Sequence, residues 1–151
     1  MQTRRQHIQH SAVVASLLAG TGLFPQFAHA AFNKAAFDAK NIDETLKALG
    51  ASAPANSADV QLTAPDIAEN GAVVPVGVVS TLAGVEAIAI LVEKNPNPLA
   101  ASFVLPAGTE PSVQTRVKMG QTSDVYALVK AGGKFFIAKK EIKVTIGGCG
   151  G

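Results

Sequence analysis

From residue 60 onward, apolar and polar positions alternate along much of this chain. Val113, Thr115, Val117 and Met119 alternate with Gln114, Arg116 and Lys118, and Ile142, Val144 and Ile146 alternate with Lys143 and Thr145. Successive side chains of a strand point to opposite faces, so this period of two predicts half-buried strands. Val76 and Val78, and Ile88, Ile90 and Val92, sit in more continuously apolar stretches, as strands in the middle of a sheet do. Strands are predicted at 60–64, 72–80, 86–94, 99–105, 112–119, 125–131, 134–139 and 141–146. The punctuation agrees. Asn70-Gly71 suits a tight turn, Pro96-Asn97-Pro98 breaks any ladder, and Gly132-Gly133 suits a two-residue hairpin loop. Seven or eight short strands at this spacing predict an all-β fold, an antiparallel β-sandwich.

Ahead of the strands the period changes. Across Phe32 to Leu49, Phe37, Leu46 and Leu49 fall on roughly one side, and Gly50 follows in the position that favours a helix end. One N-terminal helix is expected here, packed over its own domain rather than serving as a docking element. Asn41-Ile42-Asp43 offers a second start inside it. Residues 50–59, rich in Ala, Ser, Pro and Asn, read as a loop.

Residues 1–30 read as an export signal. Arg4 and Arg5 form a positive region with no acidic residue before Asp38, Ala12 to Phe24 is a short apolar run, and Ala28-His29-Ala30 fits a cleavage site. The run is shorter than the roughly 20 residues a membrane-spanning helix needs. Thr3-Arg4-Arg5-Gln6-His7-Ile8 is similar to a twin-arginine signal, with His7 where phenylalanine is usual. A periplasmic location by the Tat route is therefore expected, with Sec export as the alternative. The expected organisation is a signal at 1–30, a β-sandwich with its N-terminal helix at 31–146, and a glycine-rich arm at 147–151.

Loss of the signal alters the electrostatics and the available chemistry. All three histidines leave with it, and the 13 basic side chains fall to 11 without Arg4 and Arg5, equal to the 11 acidic ones. Such a neutral domain lacks the basic surface that a nucleic-acid partner requires. One cysteine and no histidine exclude a His/Cys metal site or a Cys-His catalytic pair within this chain. No cofactor of its own is expected, and no enzymatic activity of its own.

That one cysteine stands in Gly147-Gly148-Cys149-Gly150-Gly151. Glycine enters backbone conformations closed to other residues, and a chain covers at most about 3.3–3.6 Å per residue, which lets Cys149 stand roughly 10 Å beyond Ile146. Nothing flanks the thiol to block its entry into a narrow cleft or to act as its base. The pattern describes a carrier arm rather than a catalytic centre. The alternatives are an inert thiol and a Cys149–Cys149 disulfide dimer of an exported structural or interaction module. Prenylation needs a different ending.

Several stretches together carry a family resemblance. Val144-Thr145-Ile146-Gly147-Gly148-Cys149-Gly150-Gly151, Ile67-Ala68-Glu69-Asn70-Gly71 followed by Val74-Pro75-Val76, Val92-Glu93-Lys94-Asn95-Pro96, and Thr115-Arg116-Val117-Lys118-Met119 occur in order, and with them the chain resembles the SoxY family of sulfur carriers in thiosulfate oxidation. The resemblance implies an immunoglobulin-like sandwich paired with a SoxZ-like subunit. It also implies that Cys149 is the attachment point, carrying S-thiosulfonate, persulfide and S-sulfonate adducts. Gly147, Gly148, Gly150 and Gly151 would form the swinging arm. The implied enzymes are a haem c-bearing SoxAX type, a manganese SoxB type and a molybdenum-haem SoxCD type, each holding its own cofactor. No nucleic acid or membrane partner is implied.

Other residues draw attention for weaker reasons. Lys139, Lys140 and Lys143 lie near the arm's root and could attract anionic cargo, although charges on a solvent face are usual. Arg116 is divided between an interface ion pair and ordinary surface. Asn70-Gly71 reads as a turn, and Phe135-Phe136 as core plus a subunit contact.

Overall fold

The computed structural model describes residues 33–145. The expected export signal at 1–30, Ile146 and the expected arm with Cys149, Gly147, Gly148, Gly150 and Gly151 lie outside the described residues.

The described residues begin with two short helices, α1 (Lys34–Asp38) and α2 (Ile42–Ala48), where a single helix was expected. The break has a local cause. Asn41 adopts an extended backbone and accepts the Glu44 N–H on its side chain, capping α2 afresh. Glu44 in turn accepts the Lys40 N–H on its carboxylate, and that bond, with a side-chain hydrogen bond from Asn41 to the same carboxylate, holds the carboxyl below the usual range. Gly50, at φ +78°, ends α2, with Ala51 N–H reaching Leu46 O and Gly50 N–H reaching Lys47 O.

Nine strands follow: β1 (Ala55–Asn56), β2 (Val60–Thr63), β3 (Ile67–Ala68), β4 (Val74–Ser80), β5 (Val85–Val92), β6 (Leu99–Val104), β7 (Ser112–Val117), β8 (Ser123–Ala131) and β9 (Lys134–Val144). One sheet runs β1-β9-β8-β5-β6, with β3 also on β9, and the other runs β2-β4-β7. The sheets stack as an open, immunoglobulin-like β-sandwich. Pairing is antiparallel except where β1 and β3 join β9 in parallel. Those two-residue strands are too short to show a period and were not anticipated.

Two apolar layers result. Between the sheets lie Val74, Val76, Val78, Ile88, Ile90, Val92, Val125, Val129 and Ile142, all buried. On the far side of the large sheet, Leu91, Leu99 and Leu128 pack beneath Phe37, Leu46 and Leu49. The helices therefore cover their own domain, and β5 is buried on both faces, which explains its unbroken apolar run. Phe136 faces the inter-sheet core and Phe135 faces the helices. Among the described residues no helix is long and apolar enough to cross a membrane.

The last two expected strands, 134–139 and 141–146, are one. Lys139-Lys140-Glu141 looks like an interruption, yet the ladder to β8 is continuous from Ala131↔Lys134 to Ser123↔Ile142. Each lysine finds a local partner. Lys139 Nζ lies 3.0 Å from Asp124, and Lys140, facing inward, places Nζ 2.6 Å from Ala64 O and 2.9 Å from Asp66.

Candidate functional site

The place to build from is the end of β9, where the chain leads toward the arm. β8 pairs with it only as far as Ser123↔Ile142, and beyond that point the strand changes partner. β3 takes over in parallel, with Lys143↔Ile67 and Val144↔Ala68. Lys143 N–H donates to Asp66 O at 3.0 Å and Thr145 N–H to Ala68 O at 3.1 Å. Between them, Val144 N–H points the other way and donates to Thr122 Oγ1 at 3.0 Å. Three successive amides are thus held from two sides.

Side chains reinforce this grip. Ile142 is fully buried, and Val144 packs against the same inter-sheet core. Gly71 closes the other side. Asn70 Oδ1 accepts the Ala72 N–H at 2.9 Å, which makes a turn. Gly71 itself, however, is absent from the glycines with positive φ. A Cβ there would run into Met119 O and stand 2.9 Å from Val144 Cγ1, while Met119 N–H donates to Gly71 O at 2.7 Å. Glycine is needed at 71 for close approach rather than for a left-handed backbone. The turn expected at Asn70-Gly71 is present, and its contact with the arm's root was not foreseen. Thr122 carried no distinguishing pattern; Ala68 and Gly71 stood in a stretch that carries the family resemblance, and Asn70-Gly71 read as a turn, but neither signal pointed to a contact with β9.

The three lysines near the root divide. Lys139 and Lys140 are engaged as described, and Lys139 also lies 6.0 Å from the centre of the Tyr126 ring. Asp124 raises the Lys139 pKa, whereas the Lys140 hydrogen bond lowers that of Asp66. Burial, aided by a 2.8 Å hydrogen bond to Glu93, raises the Tyr126 pKa. Lys143 is exposed and makes no ion pair among the described residues. Its charge adds to the lowering of the Asp66 pKa, after the hydrogen bond and charge of Lys140.

Arg116 also lacks an ion pair among the described residues. It is exposed opposite Pro75 on the outer face of the small sheet. There it borders a trough of about 690 Å³ whose other walls include Thr63, Pro65, Gly77, Val79 and Gln114. Among the described residues no group of three or more His, Cys, Asp or Glu side chains is placed to hold a metal ion.

Comparison with known proteins agrees with this architecture. The family model for "Sulfur oxidation protein SoxY" matches residues 45–149. The solved structure of the sulfur carrier protein SoxY from Chlorobium limicola f thiosulfatophilum is 39% identical, covers 74% of this chain and 97% of its own, and superposes with a TM-score of 0.64. Two superoxide reductase (neelaredoxin) variants from Ignicoccus hospitalis share the fold alone. They are 22% and 20% identical, cover 66% and 58% of this chain and 87% and 83% of their own, and have TM-scores of 0.51 and 0.50. No curated protein sequence matches. With the family match spanning most of its length, this chain belongs to the SoxY family of sulfur oxidation proteins.

Proposed function

We propose that this chain is the sulfur-carrying subunit of a thiosulfate-oxidising system and holds its intermediates covalently on Cys149. The observation that carries the reading is the family match, whose final position is the chain's one cysteine. An ordinary cysteine has a pKa near 8.5, so only a few per cent is thiolate at neutral pH. Gly147, Gly148, Gly150 and Gly151 bring no base or cation to lower it. Activation of the thiol accordingly belongs to each partner's active site, and the arm's task is to enter it.

The cycle runs as follows. A haem c-bearing oxidase of the SoxAX type removes two electrons as the Cys149 thiolate and thiosulfate join through a new S–S bond. Water then attacks the terminal sulfone in a manganese-dependent SoxB-type hydrolase. Sulfate leaves, and a persulfide remains on Cys149. A molybdenum-haem SoxCD-type dehydrogenase withdraws six electrons from that outer sulfur while three waters supply the oxygens of the S-sulfonate, and a second hydrolysis releases sulfate and restores the thiol. The chain works beside a SoxZ-like β-sandwich subunit. It acts in the periplasm, where the paired Arg4 and Arg5 direct the folded complex through the Tat route.

Intact-mass spectrometry of the native protein, before and after incubation with thiosulfate and the oxidase, tests this. Thiosulfonate, persulfide or sulfonate adducts on Cys149 are expected. A Cys149–Cys149 disulfide as the sole modification would instead identify a dimerised structural module.

A further inference from the structure

Cys149 lies four residues beyond Thr145, so an extended arm carries it roughly 13–14 Å from the last held peptide unit. Gly147 and Gly148 have no side chains with which to set a direction. Val144 and Thr145 are the last described residues before the arm, and their backbone is where its course begins. We infer that Thr122 and Gly71 are positioning residues that fix the arm's exit from the sandwich and thereby the delivery of Cys149 to partner enzymes. The inference rests on the carrier reading and adds residues to it.

The geometry separates these two residues from ordinary packing. The N–H groups of Lys143 and Thr145 bond to β3 on one side, and that of Val144 bonds to Thr122 Oγ1 on the other. Removing the Thr122 oxygen leaves the root held from one side only, with an orphaned N–H at its midpoint. Gly71 bears on the same residue through Val144 Cγ1, where a Cβ would stand 2.9 Å away. Either change lets the root tilt. A tilt of about 15° moves a tip at that reach by roughly 3–4 Å. A tether whose root also swings spreads the thiol over a larger volume, which lowers its effective concentration at a cleft.

The test compares Thr122→Val, which keeps the shape and removes the oxygen, with Thr122→Ser, which keeps the oxygen. Three rates are measured on the complex: oxidase-catalysed loading of Cys149 with thiosulfate, reaction of Cys149 with a small aromatic disulfide that needs no docking, and amide exchange at Val144. For Thr122→Val, kcat/KM of loading falls about tenfold or more and Val144 exchange accelerates. Its reaction with the small disulfide matches wild type, and Thr122→Ser loads normally. Gly71→Ala perturbs the root independently of Thr122, through Val144 Cγ1, and gives the same split, keeping the test open should Thr122→Val unfold. Wild-type loading in variants with faster Val144 exchange would overturn the inference, as would equal losses in Thr122→Val and Thr122→Ser. A wild-type protein that never loads would overturn the carrier reading, and this inference with it.

Discussion

β9 has a glycine contact at each end, and the two are unlike. At its start, Gly132 and Gly133 turn the chain from β8 with φ of +55° and +73°, and nothing lies within 4 Å of where a Cβ would stand on either. At its finish, Gly71 lies in a crowded place, against Met119 O and Val144, without a positive φ. One end uses glycine for conformation in open solvent, and the other uses it to bring three backbone segments together. The hairpin end makes a turn, and its amides reach only Gly84 O and the exposed Glu86 carboxylate. The root end anchors the chain just before its one cysteine.

The sharpest break in this comparison comes from the root's core. Ile142 is fully buried, and Ile142→Ala should cost about 2–5 kcal/mol through lost burial and the cavity left behind. A denaturant midpoint that barely moves would show that the root floats free of the sandwich. Gly71→Ala comes next, at about 1–3 kcal/mol, since Met119 O and Val144 must both give way. At the other end, Gly132→Ala meets only the left-handed backbone cost, about 1–2 kcal/mol. Shortening the side chain of Val144 to alanine separates the two mechanisms. It should relieve part of the Gly71→Ala penalty and none of the Gly132→Ala penalty, as a double-mutant cycle would reveal.

The smallest effect is electrostatic. Lys140 lowers the Asp66 pKa first by its hydrogen bond and then by its charge. A carboxyl whose folded pKa is depressed adds stability that is fully present above its ordinary value of about 3.9 and is lost as pH falls through the folded value. The wild-type protein should therefore lose this contribution only below about pH 4. Asp66→Asn should flatten that acid limb and leave the neutral midpoint nearly unchanged, because the side chain is 88% exposed. Thermal melts from pH 7 to 3 check it.

Much of this was legible in the sequence. Strict alternation through Val113–Met119 and Ile142–Thr145 placed strands because each has one wet face. The hairpin at Gly132-Gly133 and the helix stop at Gly50 were legible because positive φ selects glycine. The root clamp was not. Ile67-Ala68 is too short for any period, and Thr122 acts through one hydroxyl on an amide 22 residues away. Lys139-Lys140-Glu141 looked like a break because partners at Asp124, Ala64 and Asp66 come only with the fold.

The central claim is that Cys149 carries the substrate. Its most direct test is intact-mass analysis of the complex after incubation with thiosulfate and the oxidase, wild type beside Cys149→Ser, with thermal unfolding run on both. A thiosulfonate adduct should appear on the wild type and be absent from Cys149→Ser. The two unfolding free energies should agree within roughly 0.5 kcal/mol, because Cys149 lies beyond the buried Ile142 and the sandwich core in the sequence. An adduct that persists in Cys149→Ser, or full thiosulfate turnover by that variant, would contradict the account.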